Sequence, residues 1–145
     1  YNVLVVDDEP QILRMISRIL DRSDLNVMVD FAEDGYKALL KIGLNLPDLV
    51  ILDIHMPKMD GQTLLRTLKQ DENTKSIKVL VATGFPDDAD EIMQLGADQI
   101  ILKPFRKGQL INEVIAMLGL KASPKNKNMV GLSRALQDPL RNDQE

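Results

Sequence analysis

The sequence predicts a doubly wound α/β fold, five parallel strands with helices on both faces. Short apolar runs alternate five times with stretches in which apolar residues recur at helical spacing. The strand-like runs are near-continuously apolar, as expected of strands covered on both sides. The length of 145 residues fits one domain and leaves little for a second.

The elements follow in order. Asn2–Val6 is apolar and β-branched and reads as a strand. After Pro10, a residue suited to a first helical turn, Ile12, Leu13, Ile16, Ile19 and Leu20 mark one helical face. Val27–Phe31 is the second strand. Gly35–Leu46 is a helix with Ala38, Leu39 and Ile42 on one side. Leu49–Leu52 is the third strand, and Gly61–Lys69 is a helix with Leu64, Leu65 and Leu68 inward. Ile77–Ala82 is the fourth strand. Asp87–Leu95 is a short helix closed by Gly96. Gln99–Leu102 is the fifth strand, and Lys107–Leu118 the last helix, burying Leu110, Ile111, Val114, Ile115 and Leu118. Successive βα units imply a parallel sheet. Small folds of this (βα)5 kind commonly use the flavodoxin-like order 2-1-3-4-5 and bind ligands at the carboxyl ends of the strands. This domain is expected over residues 1–120. Residues 121–128 (KASPKNKN) read as a linker. Residues 129–145 form a tail with a weak apolar stripe of Met129, Leu132, Leu136 and Leu140, either a short helix or the start of a connection to an output domain.

Composition narrows the function. Lys and Arg number 18 and Asp and Glu 22, giving 18 − 22 = −4, which disfavours direct nucleic-acid binding by this chain. With no cysteine, a disulfide framework, a cysteine zinc site and a thiol nucleophile are all excluded. No apolar run approaches the ~20 residues of a membrane span, and no signal peptide precedes the first strand, so a cytoplasmic location is expected. The first residue is Tyr rather than Met, so the chain reads as an excised or processed piece.

The chemistry lies at the strand ends. Asp7 and Asp8 follow strand one, Asp53 strand three, Thr83 strand four and Lys103 strand five. Singly each has an ordinary reading: helix capping for the Asp pair, a turn for Asp53 and Thr83, a solvated ammonium for Lys103. The coincidence argues otherwise, because the strands that carry these groups are neighbours in the order 2-1-3-4-5, and strand two, outside that set, carries none. Two carboxylates about 5 Å apart repel by roughly 3 kcal/mol at an effective dielectric near 20. Such a cluster stays partly protonated or holds a cation. An all-oxygen, open site favours a hard one, Mg²⁺. A carboxylate nucleophile beside a metal, an ammonium and a hydroxyl suits phosphoryl transfer onto Asp53.

With these residues in place, the sequence resembles the response-regulator receiver domain of two-component signalling. The matching pieces are VVDDEP (5–10), LDIHMPKMDG (52–61), VATG (81–84) and KPF (103–105), in family order, over about Asn2 to Gly119. The resemblance implies that Asp53 is the phosphoacceptor, that Asp8 and Asp53 ligate Mg²⁺ directly and Asp7 through water, and that the carbonyl of His55 is a further ligand. It implies that Thr83 bonds the phosphoryl group and moves toward it, that Lys103 pairs with a phosphoryl oxygen, and that the Lys103–Pro104 bond is cis. Gly61 permits the turn after the MP motif, and Gly84 leaves room for the phosphoryl group. Implied partners are a histidine kinase or phosphotransfer protein, a second copy of the chain in a homodimer, and a downstream output partner. The protein would be a signalling switch rather than a turnover enzyme.

One departure stands out. The family usually has Tyr or Phe three residues before the lysine, and here that residue is Ile100. Coupling to the face formed by the fourth helix, fifth strand and fifth helix then lacks the usual aromatic reporter, and a receiver-like interaction module that works without phosphorylation is the alternative. Two positions flank the phosphoryl group in the family: His55, for which an exposed loop residue is the plainer reading, and Phe85, expected to hinder the attacking water. Asp87, Asp88, Asp90 and Glu91 crowd the start of the fourth helix, where they favour the helix dipole or, alternatively, dock a basic partner. A dinucleotide-binding domain would need a glycine-rich first turn where Asp-Asp-Glu-Pro stands. An aspartyl phosphatase would place a second acid at residue 55, and a serine hydrolase would need G-x-S-x-G.

Overall fold

The structure is a computed structural model and describes residues 1–121. The strands are β1 (Asn2–Val6), β2 (Met28–Ala32), β3 (Leu49–Asp53), β4 (Lys78–Thr83) and β5 (Gln99–Leu102). The helices are α1 (Pro10–Asp21), α2 (Gly35–Leu44), α3 (Gly61–Gln70), α4 (Ala89–Gln94) and α5 (Lys107–Leu118), with a 3₁₀ turn at Pro86–Asp88 before α4. All strand pairs are parallel and the order is β2-β1-β3-β4-β5, as the sequence predicts. The expected linker (121–128), apart from its first residue, and the expected tail (129–145) lie outside the described residues.

Two apolar layers sandwich the sheet. On one side Ala38 and Ile42 of α2, Leu64, Leu65 and Leu68 of α3 and Ile92 of α4 meet alternate residues of the central strands. On the other, Leu13, Ile16 and Leu20 of α1 and Leu110 and Val114 of α5 meet the intervening ones. Each fully buried aliphatic side chain contributes roughly 1.5–3 kcal/mol of transfer free energy. All five residues of β3 are buried, which is why this strand reads as an unbroken apolar run. The expected inward faces hold, with Ile12, Ile19, Leu39 and Leu118 partly buried at their margins.

Several element boundaries shift for identifiable reasons. Val27 donates to the Leu25 carbonyl in a turn, so β2 starts at Met28. As the edge strand, β2 is mostly exposed and does not have the double cover expected of every strand. Ile77 likewise donates back to Thr74, so β4 runs from Lys78 through Thr83. α2 stops at Leu44, because Pro47 disfavours the helical conformation for Leu46. Pro86 opens the tight turn in which Asp88 donates to Phe85, and regular helix begins only at Ala89. Gly96, at φ +108°, follows α4 in the closing role expected of it.

Candidate functional site

The carboxyl ends of β1, β3, β4 and β5 converge on one edge. β1 ends at Val6, so Asp7 and Asp8 stand just past it, and the Asp7 amide donates to the carbonyl of Ala32 at 3.2 Å. Asp7 Oδ1 accepts from the amide of Glu9 at 2.9 Å. The cap residue of α1 is Glu9, whose side chain makes no capping bond, so neither aspartate caps this helix. Asp53 closes β3, and its Oδ1 accepts from the His55 amide at 3.2 Å. Asp7 and Asp53 are both buried, while Asp8 is half-buried.

One carboxylate oxygen each from Asp7, Asp8 and Asp53 lies within 4.8 Å of the other two. Lys103, just past β5, places its Nζ 3.3 Å from Asp7 Oδ2 and 3.4 Å from Asp53 Oδ1. Its amide donates to the Thr83 carbonyl at 2.8 Å, tying it to the end of β4, and the Lys103–Pro104 bond is cis as expected. Thr83 is fully buried, and its Oγ1 accepts from the Phe85 amide at 3.1 Å.

The protonation behaviour follows from this crowding. Burial first, and then the charge of Asp7, push the Asp53 carboxyl above its usual range, against the pull of Lys103 and the His55 amide. Burial alone would lower the Lys103 ammonium, but Asp7 and Asp53 together overcome it and hold its pKa above the usual value. Three carboxylates against one ammonium leave two negative charges, the complement of one divalent cation. The donors are all oxygens, so the set fits a hard ion.

The loop around this edge has its own constraints. Gly61 is required by close approach: a Cβ there would lie 2.5 Å from the Asp53 carbonyl oxygen and from Ile54 Cα. Its amide donates to the Ile54 carbonyl, fixing the loop that returns from Asp53 to α3. Asp60 caps α3 by accepting from the Thr63 amide at 2.7 Å, a contribution on the order of 1 kcal/mol. A Cβ on Gly84 would meet nothing within 4 Å, consistent with open space beside Thr83.

The chain matches the model of the response regulator receiver domain over residues 3–115. The chain belongs to that family. This receiver domain is 36% identical over 121 residues to the transcriptional regulatory protein PrrA of Mycobacterium tuberculosis, covering 83% of this chain and 51% of PrrA. It is 35% identical over 118 residues to the alkaline phosphatase synthesis transcriptional regulatory protein PhoP of Bacillus subtilis, covering 80% of this chain and 48% of PhoP. It thus spans about half the length of these curated relatives. Among solved structures it is similar to the chemotaxis protein CheY4 of Vibrio cholerae, with a TM-score of 0.73 and 30% identity over 81% of this chain and 98% of that one.

Ile100 stands where the resemblance implies an aromatic residue. Ile100 is partly buried and packs against the α2–α4 side of the core. The structure also adds a contact that sequence reading missed. His55 Nε2 lies 3.3 Å from Asp88 Oδ2, and the His55 ring meets the Phe85 ring edge-on at 4.7 Å between centroids. The two loops that flank Asp53 therefore touch each other. These residues are 30 or more positions apart, and no periodicity links them. Among the described residues, no helix is long and apolar enough to cross a membrane.

Proposed function

We propose that this receiver domain takes a phosphoryl group on Asp53 in a Mg²⁺-dependent reaction, with a histidine kinase or phosphotransfer protein as donor, and that the modified form changes its affinity for an output partner. The observation that carries this reading is the cluster itself: three carboxylates whose oxygens lie within 4.8 Å, with Lys103 against two of them.

Asp8 and Asp53 would hold the ion directly, Asp7 through water, and the His55 carbonyl would complete the protein ligands. Bound there, Mg²⁺ supplies charge neutralisation for the oxygens of the transferred group. The remaining work falls to side chains of this chain. An Asp53 carboxylate oxygen attacks the donor's phosphorus, the bond to the donor nitrogen breaks, and an acyl phosphate forms. Lys103, already 3.4 Å from Asp53, is placed to pair with a phosphoryl oxygen. The Thr83 hydroxyl is a donor at the same edge, and its proton is not used by the bond it accepts from the Phe85 amide. Positioning and charge stabilisation are most of what this chemistry requires. Each turnover of the switch modifies the protein itself, so the chain acts as a signalling element and not as an enzyme on an outside substrate.

Ile100 favours a second reading, an interaction module that works without phosphorylation, since a partly buried aliphatic residue holds the place of the family's aromatic. Incubation with acetyl phosphate separates the two. Base-labile label that requires Mg²⁺ and vanishes in Asp53→Asn supports the switch, whereas a chain that takes no label is the module.

A further inference from the structure

We infer that the outward face of α2 is a contact between two copies of this chain, paired about a two-fold axis near Leu40. A helix on the surface of a doubly wound domain normally presents polar residues to water. α2 does not. Gly35, Ala38 and Ile42 face the core, yet the opposite side carries Tyr36, Leu40 and Leu44, which are 58%, 70% and 88% exposed. Leu46, just past the helix, and Met28, on neighbouring β2, are exposed as well. Five of the eleven large apolar side chains that the described residues expose gather on this one edge, and contiguous patches of that kind mark contact surfaces.

The face is built to fit itself. Tyr36, Leu40 and Leu44 are spaced one turn apart and symmetric about Leu40, so an antiparallel pairing sets Tyr36 of each copy against Leu44 of the other. Beside these protruding side chains runs a hollow of about 480 Å³ between α2 and α3, with Leu39, Gly43 and Leu46 on one wall and Thr67 and Leu68 on the other. The hollow borders the stripe, and a two-fold pairing brings the same patch of both copies together, as an isologous contact does.

Charge selects the occupant. The two lysines that flank the stripe are matched within their own copy, Lys37 to Glu33 at 3.2 Å and Lys41 to Asp30 at 2.8 Å, so a second copy meets no unpaired like charge. The groove between α1 and α5 is the contrast: Arg14, Arg18, Arg22 and Lys107 rim it, none is in an ion pair with a described residue, and two copies would repel there. With each exposed side chain offering on the order of 100 Å² of apolar area, the contact falls at the small end of specific interfaces, and a reversible dimer follows.

The test needs neither phosphodonor nor metal, so it stands apart from the function proposed above. Sedimentation equilibrium of the full chain from about 1 µM to about 200 µM should show the mass rising from 16.3 kDa toward twice that value. Leu44→Glu, at a side chain already in water, should weaken association at least tenfold without unfolding the domain. The chain has no cysteine, so Leu40→Cys should form a disulfide dimer on oxidation where Met93→Cys does not. A monomer at every concentration overturns the inference and leaves the face to a different protein. A dimer indifferent to Leu44→Glu overturns it too, by placing the contact elsewhere.

Discussion

Replacing Asp53 with Asn should make the metal-free protein more stable, although it removes the residue on which the proposed function depends. The magnitude follows from the cluster. At separations near 4.8 Å and an effective dielectric near 20, each carboxylate pair repels by roughly 3.5 kcal/mol. Asp53 faces Asp7 as the buried neighbour whose charge raises it, and regains roughly 5 kcal/mol from Lys103 at 3.4 Å. Burial of the charge, the first cause of the raised carboxyl, outweighs that difference, and a net destabilisation on the order of 1–2 kcal/mol remains. Asn keeps the shape and can still accept from the His55 amide, so little is lost. With a urea slope of about 1.5 kcal/mol/M, typical of a domain this size, the midpoint at pH 7 in EDTA should rise by roughly 1 M. The sign of the pH dependence is fixed as well. The Asp53 carboxyl titrates above its usual range, so its protonated form favours the folded state, and that contribution is present in acid and lost as the pH rises through the folded value. The gap between the two proteins should therefore narrow as the pH falls into the carboxylate range. A midpoint for Asp53→Asn at or below that of the parent, in EDTA at pH 7, would refute the electrostatic account of the site.

Three further predictions concern the same edge. Mg²⁺ should raise the thermal midpoint of the parent, by an amount equivalent to about 2.7 kcal/mol at a hundredfold excess over its Kd, and Asp8→Asn should remove most of that rise; calorimetry across a Mg²⁺ series checks this. Gly61→Ala should cost about 2–4 kcal/mol in urea unfolding, because its Cβ has only the backbone of Asp53 and Ile54 to displace. Phe85→Ala should shorten the lifetime of the phosphorylated form, since the ring packs on His55 beside the acceptor; an unchanged dephosphorylation rate would remove Phe85 from that role.

Much of the site was legible because a parallel sheet converts sequence into position. Each strand delivers its next residue to the same edge, so Asp7, Asp53, Thr83 and Lys103 could be grouped once five strands and their order were expected. The details that escaped are those that alternation and helical spacing do not encode. β2 reads as apolar from Val27 to Phe31, yet it lies at the sheet edge, where no second neighbour covers it. The inward face of α2 was legible from Ala38, Leu39 and Ile42, but helical spacing alone does not say that Leu40 and Leu44, apolar and off that face, stay exposed to this degree. The His55–Asp88 contact joins two loops whose approach depends on the turn at Gly61 and the 3₁₀ turn at Pro86. Ile100 was recognisable as a departure, but its packing against the core depends on the neighbours that α4 brings to it.

The central claim is that one carboxylate at the end of β3 accepts a phosphoryl group. It is tested most directly by reacting the chain with acetyl phosphate in Mg²⁺, reducing with borohydride, and mapping the peptides by mass spectrometry. The account predicts homoserine at position 53, and none when EDTA replaces Mg²⁺. Modification at Asp7 or Asp8 in place of Asp53, or an intact Asp53 under conditions where other receiver domains react, would contradict it.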